Sequence, residues 1–167
     1  MSKEIKNNIA DAELITLDIN RLLPANKLQT IDLVNWLDEG QIIREASFKS
    51  KLKALNAVQF KDSYVAIFCS KKAIIPPWVH LLIQVKLCNI AEEIFFCEEK
   101  TMKMLLFERN LKTLDMGQYK NKRVFLKGCS DKDFPLLYFS LCVTALNSIV
   151  KSLFYGEPCS HVLLIKN

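Results

Sequence analysis

The sequence predicts an α/β protein built on a mainly parallel sheet with helices on both faces. Three observations predict it. Short apolar runs at 64–68, 94–97, 123–126 and 161–165 alternate with longer helical patterns. Such alternation implies crossover connections and parallel pairing. The runs are apolar almost throughout rather than at every second residue, as in strands covered on both faces. A unit of strand, Cys-Ser, proline and helix also recurs after roughly 60 residues, at 64–91 and again at 124–151.

The elements follow in order. Leu14-Ile15-Thr16-Leu17-Asp18-Ile19 alternates only in part and reads as an extended segment, and Pro24 closes the region. Thr30-Ile31-Asp32-Leu33-Val34 reads as a second strand, and Asn35 to Gly40 as a turn or short helical piece. Residues 44–55 suit a helix with Ala46, Leu52 and Leu55 near one face, stopped at Asn56. The strands at 64–68, 94–97 and 123–126 then each lead into a helix, at 77–91, 100–114 and 134–151. A last strand at 161–165 follows the turn Tyr155-Gly156-Glu157-Pro158. The prolines at 76, 77 and 135 stand at helix starts, where a missing N–H costs nothing. These elements make one domain over 1–167, with an N-terminal extension at 1–58 ahead of an alternating core at 59–167.

Composition narrows the function classes. Half of the 167 residues are apolar and 25% are charged, as in ordinary globular proteins. No apolar stretch reaches the roughly 18–20 residues that cross a bilayer, because Lys86, Glu92 and Lys151 interrupt the candidates. The first eight residues lack an apolar signal core, so a reducing cytoplasm is the expected location. The net charge of +5 is modest. The basic runs at Lys49, Lys51 and Lys53 and at Lys120, Lys122, Arg123 and Lys127 carry no aromatic interleaving, so no nucleic-acid partner is expected. Four scattered glycines make no phosphate-binding loop, and two histidines leave little general-base capacity.

The cysteines carry what chemistry the chain offers. In a reducing compartment six of them read as core thiols, redox thiols or metal ligands. Cys88 and Cys142 sit in apolar helical surroundings and read as core. Cys97 is followed by two glutamates, whose charge raises a thiol pKa. Cys69, Cys129 and Cys159 are each followed by serine at the end of an apolar run. The first two precede helices, where backbone N–H groups and the helix dipole stabilise a thiolate. Serine also caps helices, so a purely structural account of the repeat stands beside the chemical one. If Cys69 and Cys129 end equivalent parallel strands, they lie on the sheet edge where α/β proteins bind ligands. With Cys159 on the same edge, and His161 or Glu157 as fourth ligand, three thiolates suit zinc or iron. No Cys-x2-Cys pair accompanies them.

Four blocks together resemble an uncharacterised bacterial family, domain of unknown function 2480. They are Leu14-Ile15-Thr16-Leu17-Asp18, Cys69-Ser70 through Ile74-Ile75-Pro76 and Trp78, Lys127-Gly128-Cys129-Ser130, and Tyr155-Gly156-Glu157-Pro158-Cys159-Ser160. The family name implies no activity and no functional residue. Such proteins are sometimes encoded near iron–sulfur assembly genes, so the resemblance implies a link to iron or sulfur handling. Three readings follow. The first is a thiolate protein binding zinc or iron through Cys69, Cys129, Cys159 and His161, an accessory of iron–sulfur metabolism with assembly proteins as partners. The second is a non-metal redox or sulfur-carrier thiol protein. The third is a binding or scaffold protein, with a homodimer as one form, in which the cysteines only pack.

Overall fold

The computed structural model describes residues 14–128 and 134–167. The class and the parallel pairing are as expected. The strands, however, form two sheets where the sequence alone suggested one. The chain divides into two compact units, an inner one of Pro24–Leu105 and an outer one of Met1–Leu23 with Leu106–Asn167.

The inner unit runs β2 (Lys27–Asp32), α1 (Glu45–Ala54), β3 (Ser63–Phe68), α2 (Pro77–Leu87) and β4 (Glu93–Phe95). Its sheet has the order β2-β3-β4, parallel throughout. The outer unit opens with β1 (Leu14–Asp18) and resumes after the inner unit with α3 (Glu99–Thr113), whose first turns belong to the inner unit. β5 (Arg123–Lys127), α4 (Leu136–Leu146), β6 (Ser152–Glu157) and β7 (Ser160–Lys166) complete it. Its sheet has the order β1-β5-β6-β7, parallel except for the β6–β7 hairpin. The division follows from chain order. β2 finds its partner in the next strand, β3, whereas β1 waits for β5 until the inner unit is complete.

The two units are built on one plan, shifted by 59 residues, as from Phe48 to Phe107. The buried positions coincide: Phe48 and Phe107, Leu52 and Leu111, Phe60 and Tyr119, Val65 and Val124, Ile67 and Leu126, Leu87 and Leu146. So do the backbone details. Asp62 and Asn121 both take positive φ, 53° and 59°, a conformation that short polar side chains tolerate. Their N–H groups donate to Ile90 O at 3.1 Å and to Ile149 O at 2.9 Å. At the helix starts Val79 N donates to Pro76 O and Tyr138 N to Pro135 O, each at 3.0 Å. Both units also pair their first strand with the second in matching register, Asp32 with Phe68 and Asp18 with Lys127.

That register corrects two expectations. The structural repeat sets Cys69 against Gly128, one residue before Cys129, so the two Cys-Ser pairs are out of step by one position. The expected helix at 134–151 also stops at Leu146, and residues expected to form a turn are strand β6. The helix ends because Ile149 and Val150 N–H both turn back to Leu146 O, at 3.0 and 3.2 Å, and Lys151 N bonds to Lys122 O at 2.8 Å. The turn itself is Pro158-Cys159, since Glu157 pairs with Ser160.

Candidate functional site

Asp32 and Asp18 close the first strand of each unit. Each carboxylate accepts from the backbone two residues on, Asp32 from Val34 N and Asp18 from Asn20 N, both at 3.0 Å. These are short caps on 3-10 turns. Asp32 does more. Its Oδ1 also accepts from Ser70 N at 3.1 Å, which ties the Cys69-Ser70 segment to the carboxyl end of β2. Partial burial pulls the Asp32 carboxyl upward. The Ser70 hydroxyl and the Val34 and Ser70 N–H groups outweigh that pull and hold it below its ordinary value.

The expected ligands fall as follows. Cys69 is half-buried at the end of β3 and packs on the inner core. Cys129 lies outside the described residues. Cys159 is exposed in the β6–β7 turn. His161 begins β7 with its ring edge-on to Phe125 and Phe154, at 5.3 and 4.9 Å, and its Nδ1 lies 3.2 Å from Pro158 O. Glu157 is paired with Lys127. Thus Cys69 belongs to the inner unit, and Cys159 and His161 to the outer. Among the described residues no three His, Cys, Asp or Glu side chains gather as a metal group.

The other cysteines separate by place in the repeat. Cys142 stands where the inner unit has Ile83, both fully buried, and burial pushes its thiol up to about 12. Cys88, expected in the core, is exposed. It caps the end of α2 where α4 ends on Asn147, a position facing water in both units. Cys97 is half-buried and follows β4. Burial raises its thiol first and the Glu98 charge adds to this, against a hydrogen bond from Met102 N–H.

The concave feature that emerges is apolar. Between α4 and the β6–β7 hairpin lies a cleft of about 570 Å³ lined by Leu126, Phe134, Leu136, Phe139, Ser140, Val143, Tyr155 and Leu164. It sits near the carboxyl ends of β5 and β6, the edge where open α/β sheets take ligands. Phe139 stands edge-on to Tyr155, ring centres 5.3 Å apart, and to Phe134 at 6.4 Å. Gly128 makes room for it: a Cβ there would stand 2.6 Å from Phe139 Cζ. The inner unit repeats the ring pair as His80 on Phe96, at 5.2 Å. There Leu81 replaces Ser140 and Gln84 replaces Val143. Burial lowers the His80 pKa, favouring its neutral form.

Reading by sequence missed this cleft. The available signal was surplus apolar residues. Leu136 and Leu137 open α4, and Val162-Leu163-Leu164 runs along β7, more than one buried face of either element requires. Leu136 is 81% exposed and Val162 61%.

A two-unit α/β protein with an apolar cleft beside an added antiparallel strand is the class that the fold and the cleft define. The chain belongs to the family described as protein of unknown function (DUF2480), whose model matches residues 3–167. No curated protein and no solved structure matches the chain. Among the described residues no helix is long and apolar enough to cross a membrane.

Proposed function

We propose that this chain is a binding protein whose outer unit takes an apolar group into the cleft between α4 and the β6–β7 hairpin. The lining carries the reading. It is built of leucine, valine and aromatic side chains, with Ser140 and Tyr155 as its hydroxyl-bearing members and, among the described residues, no carboxylate, imidazole, amine or thiol in it. Its volume of about 570 Å³ falls within the range of ligand clefts. A site so lined offers burial and orientation rather than proton transfer or nucleophilic attack. The test is titration with an uncharged naphthyl probe. The native chain is expected to bind about one equivalent saturably. Val143→Trp, which fills the cleft, and Gly128→Ala, which displaces the Phe139 ring, are each expected to weaken binding at least about tenfold. Equal binding by all three proteins would overturn the reading.

A second reading keeps Cys69, Cys129, Cys159 and His161 as ligands of zinc or iron in an accessory of iron–sulfur metabolism. The His161 hydrogen bond supports it. A carbonyl only accepts, so Nδ1 facing Pro158 O carries a ring proton, and Nε2 is the nitrogen left to ligate, as in metal-bound histidines whose other N–H donates to a backbone carbonyl. Elemental analysis of tag-free protein decides. Less than ~0.1 equivalent of any transition metal, unchanged when the three cysteines are replaced by serine, would end this reading.

A further inference from the structure

We infer that the outer unit binds a phosphate group in a polar pocket at the amino ends of β5 and β6, the end away from the apolar cleft. The pocket, of about 430 Å³, is lined by Asn121, Ser148, Ile149, Val150, Lys151 and Asn167. The last turn of a helix is ordinarily a poor neighbour for an anion, because its free carbonyls carry partial negative charge. Here the carbonyls after α4 are taken up. Leu146 O accepts from Ile149 N and Val150 N, and Ile149 O accepts from Asn121 N. The Asn167 side-chain amide donates to Asn147 O at 2.7 Å and to Val150 O at 2.9 Å. What lines the pocket without a partner among the described residues is the Asn121 amide, the Ser148 hydroxyl and the Lys151 ammonium.

The duplicated plan supplies an internal control. The inner unit builds the same backbone corner. Glu92 N donates to Ser63 O at 3.0 Å where Lys151 N donates to Lys122 O at 2.8 Å, and Asp62 shares the positive φ of Asn121. Yet Asp62, Tyr64, Asn89 and Glu92 stand where the outer unit has Asn121, Arg123, Ser148 and Lys151. The corner accepts either sign of charge, so the backbone does not demand the positive set. Neighbouring cations extend it. Arg123 pairs with Ser152 and Ser152 with Lys166. Both cations therefore stand one residue in from the pocket, about 3.3 Å along the strands. Among the described residues Lys120, Arg123, Lys151 and Lys166 join no ion pair. No aspartate or glutamate occurs in 116–128 or in 134–156 to offset them. A phosphate group answers this set with three acceptor oxygens and close to two negative charges at pH 7. A carboxylate brings one charge and two oxygens. The surrounding field concentrates the dianion, and charge-assisted hydrogen bonds from Lys151 hold it.

The inner unit's own residues make the test variants, since the same backbone corner already accommodates them. The full chain is titrated at low salt with phenyl phosphate and, separately, with inorganic phosphate, followed by phosphorus NMR. Circular dichroism checks that each variant keeps the native spectrum. About one equivalent of phosphate should bind saturably. Lys151→Glu should weaken it at least about tenfold, and Asn121→Asp added to it should abolish it. Lys100→Glu, at an exposed lysine near the start of α3, changes the net charge equally and should leave binding within about twofold. Tighter binding of phenyl phosphate would mark a phosphate ester as the ligand, and tighter binding of inorganic phosphate the free ion. Absence of saturable binding by either probe would overturn the inference. So would an equal loss from Lys100→Glu, or acetate that competes as well as phosphate.

Discussion

Asp32 shows how one side chain holds a loop. Its carboxylate accepts from Val34 N and Ser70 N at once, so Asp32→Ala removes two partners from the end of β2. The expected loss is about 1–2 kcal/mol in denaturant unfolding. The sign of its pH dependence follows from its depressed folded value. Stabilisation is fully present above the unfolded carboxyl value of about 3.9 and is lost as pH falls through the lower folded one. Asp32→Asn keeps an acceptor and drops the charge. It should keep most of the stability at neutral pH and flatten the acid limb, and an unchanged acid limb would exclude this role. The thiols are ordered by the same physics. Cys88 and Cys159 are exposed, whereas burial raises the Cys142 thiol to about 12. Iodoacetamide at mildly alkaline pH should label the first two in the native protein and reach Cys142 only on unfolding. Native labelling of Cys142 at a comparable rate would contradict its place in the core.

At the scale of elements, the β6–β7 hairpin depends on Gly156. Its φ of +109° is open to glycine alone among common residues, and a Cβ there would stand 2.5 Å from the backbone oxygen of Ser160. Gly156→Ala should cost about 1–3 kcal/mol and raise hydrogen exchange in β7 before β5. Equal protection in both proteins would show that the hairpin absorbs the change. The same glycine explains why β6 was illegible in sequence, although the strand at 161–165 was read. Gly156-Glu157-Pro158 carries turn residues, yet the chain stays extended through Glu157 and turns at Pro158-Cys159. The strands at 63–68 and 123–127 were legible because buried parallel strands are apolar without interruption. The end of α4 was not, because no glycine or proline lies between Leu136 and Tyr155. The stop is made by backbone bonds to Leu146 and to Lys122 on a distant segment. The cleft stayed hidden for a related reason. Leu164 reaches it only once β7 has folded back on β6, and no local pattern encodes that return.

For the whole molecule, the repeat at a shift of 59 residues means that one folding plan is used twice, with the second use split around the first. The recurrence of Cys-Ser pointed to this duplication, although by identity rather than position. The structure aligns Cys69 with Gly128, and the shared core residues carry the repeat. Phe48 and Phe107 are its sharpest pair. Each is fully buried, Phe48 against Trp36 and Trp78 and Phe107 against Tyr138, with ring centres 5.2, 5.4 and 4.3 Å apart. Truncating either to alanine should cost about 3–5 kcal/mol, because lost transfer energy and an unfilled cavity add. Each core is enclosed by its own sheet and helices, so the damage should be local. Hydrogen exchange is expected to show Phe48→Ala opening β2, β3 and β4 while β5 and β6 keep their protection, and Phe107→Ala doing the reverse. Uniform loss across both sheets from either substitution would show one cooperative unit instead, held by α3, which runs unbroken from the inner unit into the outer.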